Sequence, residues 1–83
     1  MDKRFLRNTH NTDGSYREDM KPVWAKLGDH WLIHLMGPKP MTFHEIRISI
    51  LRYNHEYSES EEHEGVTALA LIRMIEFDMV KVV

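Results

Sequence analysis

No cysteine occurs anywhere in the chain. Disulfides, thiol nucleophiles and thiolate metal sites are thereby excluded, and the composition fits a reducing compartment. Also absent is any apolar run approaching the roughly 18 residues that a membrane-spanning helix needs, and the opening "MDKRFLRNTHNTDG" lacks the apolar centre of a secretory signal. These absences lead to the expectation of a cytoplasmic protein with no membrane partner. No asparagine opens an N-x-S/T acceptor. There is no Gly-rich phosphate loop, no G-x-S-x-G elbow and no dinucleotide fingerprint. "HEIRI", "HEYSE" and "HEGVT" each begin like a zinc-protease helix but lack the second histidine that the metal requires. The carboxylates between Glu56 and Glu64 have no counterpart base or apolar pocket to set their proton affinities apart. Neither an enzyme nor a cofactor is expected.

What is present is one domain's worth of chain. At 83 residues, a single core forms only if nearly every apolar face is used. The net charge of −2 conceals an uneven distribution. Residues 1–26 hold six Lys/Arg against four Asp/Glu, residues 27–52 three against two, and residues 53–83 two against seven. A polyanion would be attracted to the first two thirds and repelled by the last. Six histidines give mild acid a means of reversing the overall sign.

Along the chain, residues 1–14 are polar apart from Phe5-Leu6 and end in the turn formers Asn11-Thr12-Asp13-Gly14. They read as a flexible N-terminal arm preceding a domain over residues 15–83, with the alternative that "RFLR" docks as a short strand. Ser15 to Glu18 has capping-box spacing, and Asp19 could cap a helix beginning near Pro22. Val23, Trp24, Leu27, Trp31 and Leu35 recur at three to four residues, so a first helix is expected from about Pro22 to Met36, ended by Gly37-Pro38.

Thr42-Phe43-His44-Glu45 is the strongest local signal: a capping box opening a helix from Phe43 to Tyr53 or Asn54, with Phe43, Ile46, Ile50 and Leu51 or Tyr53 facing inward. After a polar connection, Ser58 or Ser60 should cap a third helix. Glu59, Glu61, Glu62 and Glu64 crowd its start, where unpaired N–H groups and the helix dipole favour negative charge. This helix should reach Glu76 or Phe77. Its apolar side chains point in every direction, the usual mark of a central helix covered by the rest of the chain or by a second protein, including a second copy. On this expectation Leu69 to Phe77 would be hidden against Trp31 and Ile46. "MVKVV" is β-prone and reads as a final strand.

The series helix, Gly-Pro break, capped helix, connection, helix, acidic residue and strand resembles a winged helix-turn-helix domain of the HxlR and MarR-like bacterial regulators. "HWLIHLMGPKPMTFHEIR" carries the likeness at Trp31, Leu32, Leu35, Gly37, Pro38, Phe43, Glu45 and Ile46. "VTALALIRMIEFDMVKV" carries it at Thr67, Leu69, Ile72, Ile75 and Asp78. The match covers about residues 24–83. It departs where Met79 stands in place of a glycine, and where Val83 comes before a second wing strand, so "MVKVV" must pair with "RFLR" or with the Lys39–Met41 segment.

The resemblance implies a mainly α fold with a small β element, a winged-helix-like three-helix domain with a truncated wing, and a regulator binding DNA or the transcription machinery. On that reading Arg4, Arg7, Lys39, Arg47 and Arg52 would meet phosphates, while Thr67 and Arg73 would read bases. The competing expectation is a protein-interaction module or inhibitor without DNA binding, docking through Glu56, Glu59, Glu61, Glu62 and Glu64 and the apolar third helix. His30 and His34, one turn apart, could ligate a metal with His44 or Asp29, but their place near a helix C-terminus, where imidazolium is favoured, accounts for them without one.

Overall fold

The computed structural model describes residues 3–27, 31–54, 56–57 and 60–83, except the side chains of Trp24 and Leu27. Three helices, α1 (Lys21–Leu27), α2 (Phe43–Tyr53) and α3 (Glu61–Glu76), pack with three short strands, β1 (Arg4–Arg7), β2 (Met41–Thr42) and β3 (Val80–Val82). The fold is therefore mainly α with a small β element. The sheet is antiparallel in the order β2-β1-β3, with Arg4 opposite Thr42, Phe5 opposite Met41 and Val82, and Arg7 opposite Val80.

The N-terminal segment is thus not a flexible arm over its described residues: it supplies the central strand. Beyond β1, the turn formers do close a turn. Gly14 takes φ +91, the Asn11 N–H donates to the Ser15 carbonyl at 2.7 Å, and His10 bridges to Tyr16 across the loop. Ser15 is drawn into this turn, its N–H and hydroxyl both donating to the Asp13 carboxylate. It is consequently not half of a capping box with Glu18. Asp19 caps nothing either, since it lies inside a 3-10 turn, Glu18–Met20, and takes a two-pronged bond from Arg17.

The expected first helix also differs. α1 covers Lys21–Leu27, but Trp31–Leu35 is a 3-10 helix, with Gly28–His30 outside the described residues. Around this segment the apolar run is almost continuous. Leu32 and Ile33 within this turn and Met36 just after it are all buried. Trp31, expected inside, is 41% exposed.

α2 begins as its sequence dictates. The Thr42 hydroxyl accepts the Glu45 N–H at 3.1 Å and the Glu45 carboxylate accepts the Thr42 N–H at 2.9 Å. Two otherwise orphaned donors are satisfied, and these bonds, led by the Thr42 backbone N–H, hold the Glu45 carboxyl below the usual carboxylate range. Ile46 and Ile50 are buried and Leu51 is half-buried, whereas Tyr53 faces solvent. With Leu32, Ile33, Met36, Leu71, Met74, Met79 and Val80 they form one core between the helices and the sheet. Each fully buried aliphatic side chain there contributes about 1.5–3 kcal/mol.

α3 starts at Ser60, whose hydroxyl accepts the His63 N–H at 3.3 Å, and ends in a six-to-one closure, the Met79 N–H donating to the Met74 carbonyl at 2.8 Å and the Asp78 N–H to Ile75 at 3.0 Å. Asp78 adopts φ +59 to make that closure, which turns the chain into β3 without the glycine expected after it.

Candidate interaction surface

α3 is a helix of 16 residues, about 24 Å long, and it uses only one arc of its circumference for the core. Thr67, Leu71 and Met74, spaced four and three apart, point inward and are buried. Val66, Leu69 and Ile72 lie on the other side and are each more than half exposed, Leu69 at 59%, and Phe77 at the helix end is over a third exposed. The expectation that Leu69 to Phe77 would be hidden against Trp31 and Ile46 therefore fails at Leu69, Ile72 and Phe77. The reason is geometric. The sheet, α2 and the 3-10 segment cover one side of α3, and the described chain supplies no second layer. Beside the exposed arc, Trp31, Val66, Leu69, Ala70 and Arg73 line a shallow groove.

Thr67 is the residue most displaced from its expected role. It is fully buried, its hydroxyl donating to the His63 carbonyl at 2.8 Å and lying 2.6 Å from the Tyr57 hydroxyl. It cannot reach a base. Arg47 is withdrawn as well. Its side chain is 13% exposed, and it donates to the Tyr57 hydroxyl at 3.0 Å and the Ser60 carbonyl at 3.3 Å while meeting Glu64 at 3.5 Å. Tyr57, stacked on His63 and buried, links Arg47 of α2 to Thr67 of α3, a role the sequence did not disclose.

The remaining expected phosphate contacts vary in exposure. Arg4 is exposed on β1, Arg7 is half-buried and donates to the Met36 carbonyl at 3.2 Å, Lys39 is exposed before β2, and Arg52 is exposed in the last turn of α2. Arg73 alone of the expected base readers is exposed, on the apolar arc of α3. Of the acidic set, Glu56, Glu61, Glu62 and Glu64 are exposed, with Glu64 turned toward Arg47, and Glu59 lies outside the described residues.

A second polar group gathers where β1 leaves the sheet. The His10 ring packs 4.3 Å from Tyr16, whose hydroxyl lies 3.4 Å from His34 Nδ1, and the buried Thr9 hydroxyl lies 2.8 Å from His10 Nδ1. Burial, then the charges of Arg7 and His34, push the His10 pKa below its ordinary value. Among the described residues, no three His, Asp or Glu side chains converge as metal donors; Asp29 and His30 fall outside them. No described helix is long and apolar enough to cross a membrane.

The signal for the exposed arc was present in the sequence. Glu62, Val66, Leu69, Arg73 and Glu76 follow one another at four and three residues, the spacing of a seam on one helix side, but the apolar residues surrounding them made the helix look central. Compared with protein-family models, curated proteins and solved structures, the chain matches none.

Proposed function

We propose that this chain is a non-enzymatic interaction module that docks on another protein surface through the outer arc of α3. One observation carries the reading: Val66, Leu69 and Ile72 stand in solvent on a helix whose opposite side already fills the core. Apolar side chains gathered on one face of a small domain mark contact sites, because covering them removes apolar area from water at roughly 25 cal/mol per Å². The acidic first turn of the same helix adds charge at one end of the strip, which orients a partner more than it binds one.

The winged-helix reading keeps support in the element order, with β2 directly before α2 and β3 directly after α3. It loses support on the face that would meet DNA. There the expected reader Thr67 is buried, Arg47 is bonded within the domain, and Glu62 and Glu76 accompany Arg73. Carboxylates facing phosphates oppose binding.

The experiment is a titration with random duplex DNA at low and moderate salt, alongside Leu69→Asp. No saturable binding is expected, and Leu69→Asp should leave folding stability within about 0.5 kcal/mol of the parent, as for other surface changes. Saturable binding that falls steeply with salt and weakens in Arg4→Ala and Arg52→Ala would overturn the docking reading in favour of DNA.

A further inference from the structure

Building on the docking reading, we infer that the occupant of the α3 face is a second copy of this chain, packed antiparallel across a two-fold axis between Val66 and Leu69. Over the stretch of the seam from Glu62 to Arg73 the order of side chains carries the assignment, negative at Glu62, apolar at Val66 and Leu69, positive at Arg73, with Glu76 beyond that stretch. Residues four and three apart return to the same side of a helix, so these four share one line along the exposed arc.

If two such lines run antiparallel about that axis, Val66 meets the second copy's Leu69 and Glu62 meets its Arg73, and the symmetry makes each contact twice. Parallel packing would instead set Glu62 against Glu62 and Arg73 against Arg73. The charge pattern is thus self-complementary in one orientation and self-repelling in the other, which is what an isologous two-fold interface requires. Trp31, at the edge of the groove with Ala70 and Arg73, widens the apolar strip beyond one helix.

Sedimentation equilibrium over a wide concentration range tests this. The parent chain should associate to a dimer. Glu62→Arg alone and Arg73→Glu alone should each be monomeric, since each substitution places two like-charged pairs in the interface, with association weakened at least ~10-fold. Mixing the two variants should restore association as a heterodimer, because both charged pairs are then opposite in sign. A mixture that fails to associate while the parent dimerises would overturn the antiparallel register, and a parent monomeric at every concentration would overturn the second-copy assignment.

Failure of the docking reading itself is read separately, through the fluorescence of 8-anilinonaphthalene-1-sulfonate. Under that reading the folded monomer binds this probe and Leu69→Asp diminishes it. Equal fluorescence from the two chains, with the parent monomeric, would remove the docking face as well as its occupant.

Discussion

At the scale of one residue, the turn from α3 into β3 depends on Asp78 holding φ +59, a conformation that brings its Cβ too near the backbone carbonyl for most L residues. Two features offset this. The closure satisfies the Met74 and Ile75 carbonyls, and the Asp78 carbonyl accepts the Asn8 side-chain amide at 2.8 Å, tying the turn to the end of β1. The carboxylate itself adds nothing favourable, because it sits at the negative end of the α3 dipole. Asp78→Gly keeps every backbone bond while removing both the steric conflict and the charge. It should raise stability by about 1 kcal/mol, or ~5 °C in Tm for a domain of this size, allowing for the greater unfolded-state freedom of glycine. A thermal melt of the variant no higher than that of the parent would show that the strain assigned to this position is not there.

At the scale of the element, α2 was legible almost to the residue and α3 only in its extent. The α2 start is encoded locally: Thr42 and Glu45 satisfy each other's backbone N–H groups, so no distant contact is needed to place it. For α3, length and caps are local too, but which arc is buried depends on where the sheet and α2 come to lie, and its composition is apolar on every side. The winged-helix resemblance turns Thr67 outward as a base reader, whereas Tyr57 supplies a partner that makes its burial favourable. Thr42→Ala should cost about 1 kcal/mol by leaving the Glu45 N–H without its acceptor. The Glu45 half of the box adds a pH dependence of known sign. Its folded-state pKa is depressed, so the unfolded chain binds more protons in the window between the folded value and the ordinary carboxylate value. The contribution is fully present above the ordinary value and is lost as pH falls through the folded one. Denaturant midpoints measured from neutral pH into that acid range should accordingly drop less steeply for Glu45→Gln than for the parent.

At the scale of the whole molecule, the N-terminal segment decides the architecture, and local pattern leaves it open between a flexible arm and a docked strand. Four residues, "RFLR", are too few to choose between those readings locally, because the partners that settle the matter lie some 40 and 75 positions away at Met41–Thr42 and Val80–Val82. Yet β2 and β3 do not pair with each other; each pairs with β1. Removing β1 would strip both of their hydrogen-bonding neighbour and take Phe5 from the layer that packs on the core containing Met79 and Val80. Deletion of residues 1–7 therefore acts on the centre of the sheet. Losing one partly buried aromatic and two strand pairings removes several kcal/mol, against a total of about 4–12 kcal/mol for a domain of this length. The shortened chain should show no cooperative thermal transition by far-ultraviolet circular dichroism and should lose its near-ultraviolet signal, because the aromatic side chains would no longer be fixed. An arm that merely trails from the domain could be deleted without consequence, so a shortened chain melting cooperatively within a few degrees of the parent would contradict the central place of β1 in the fold.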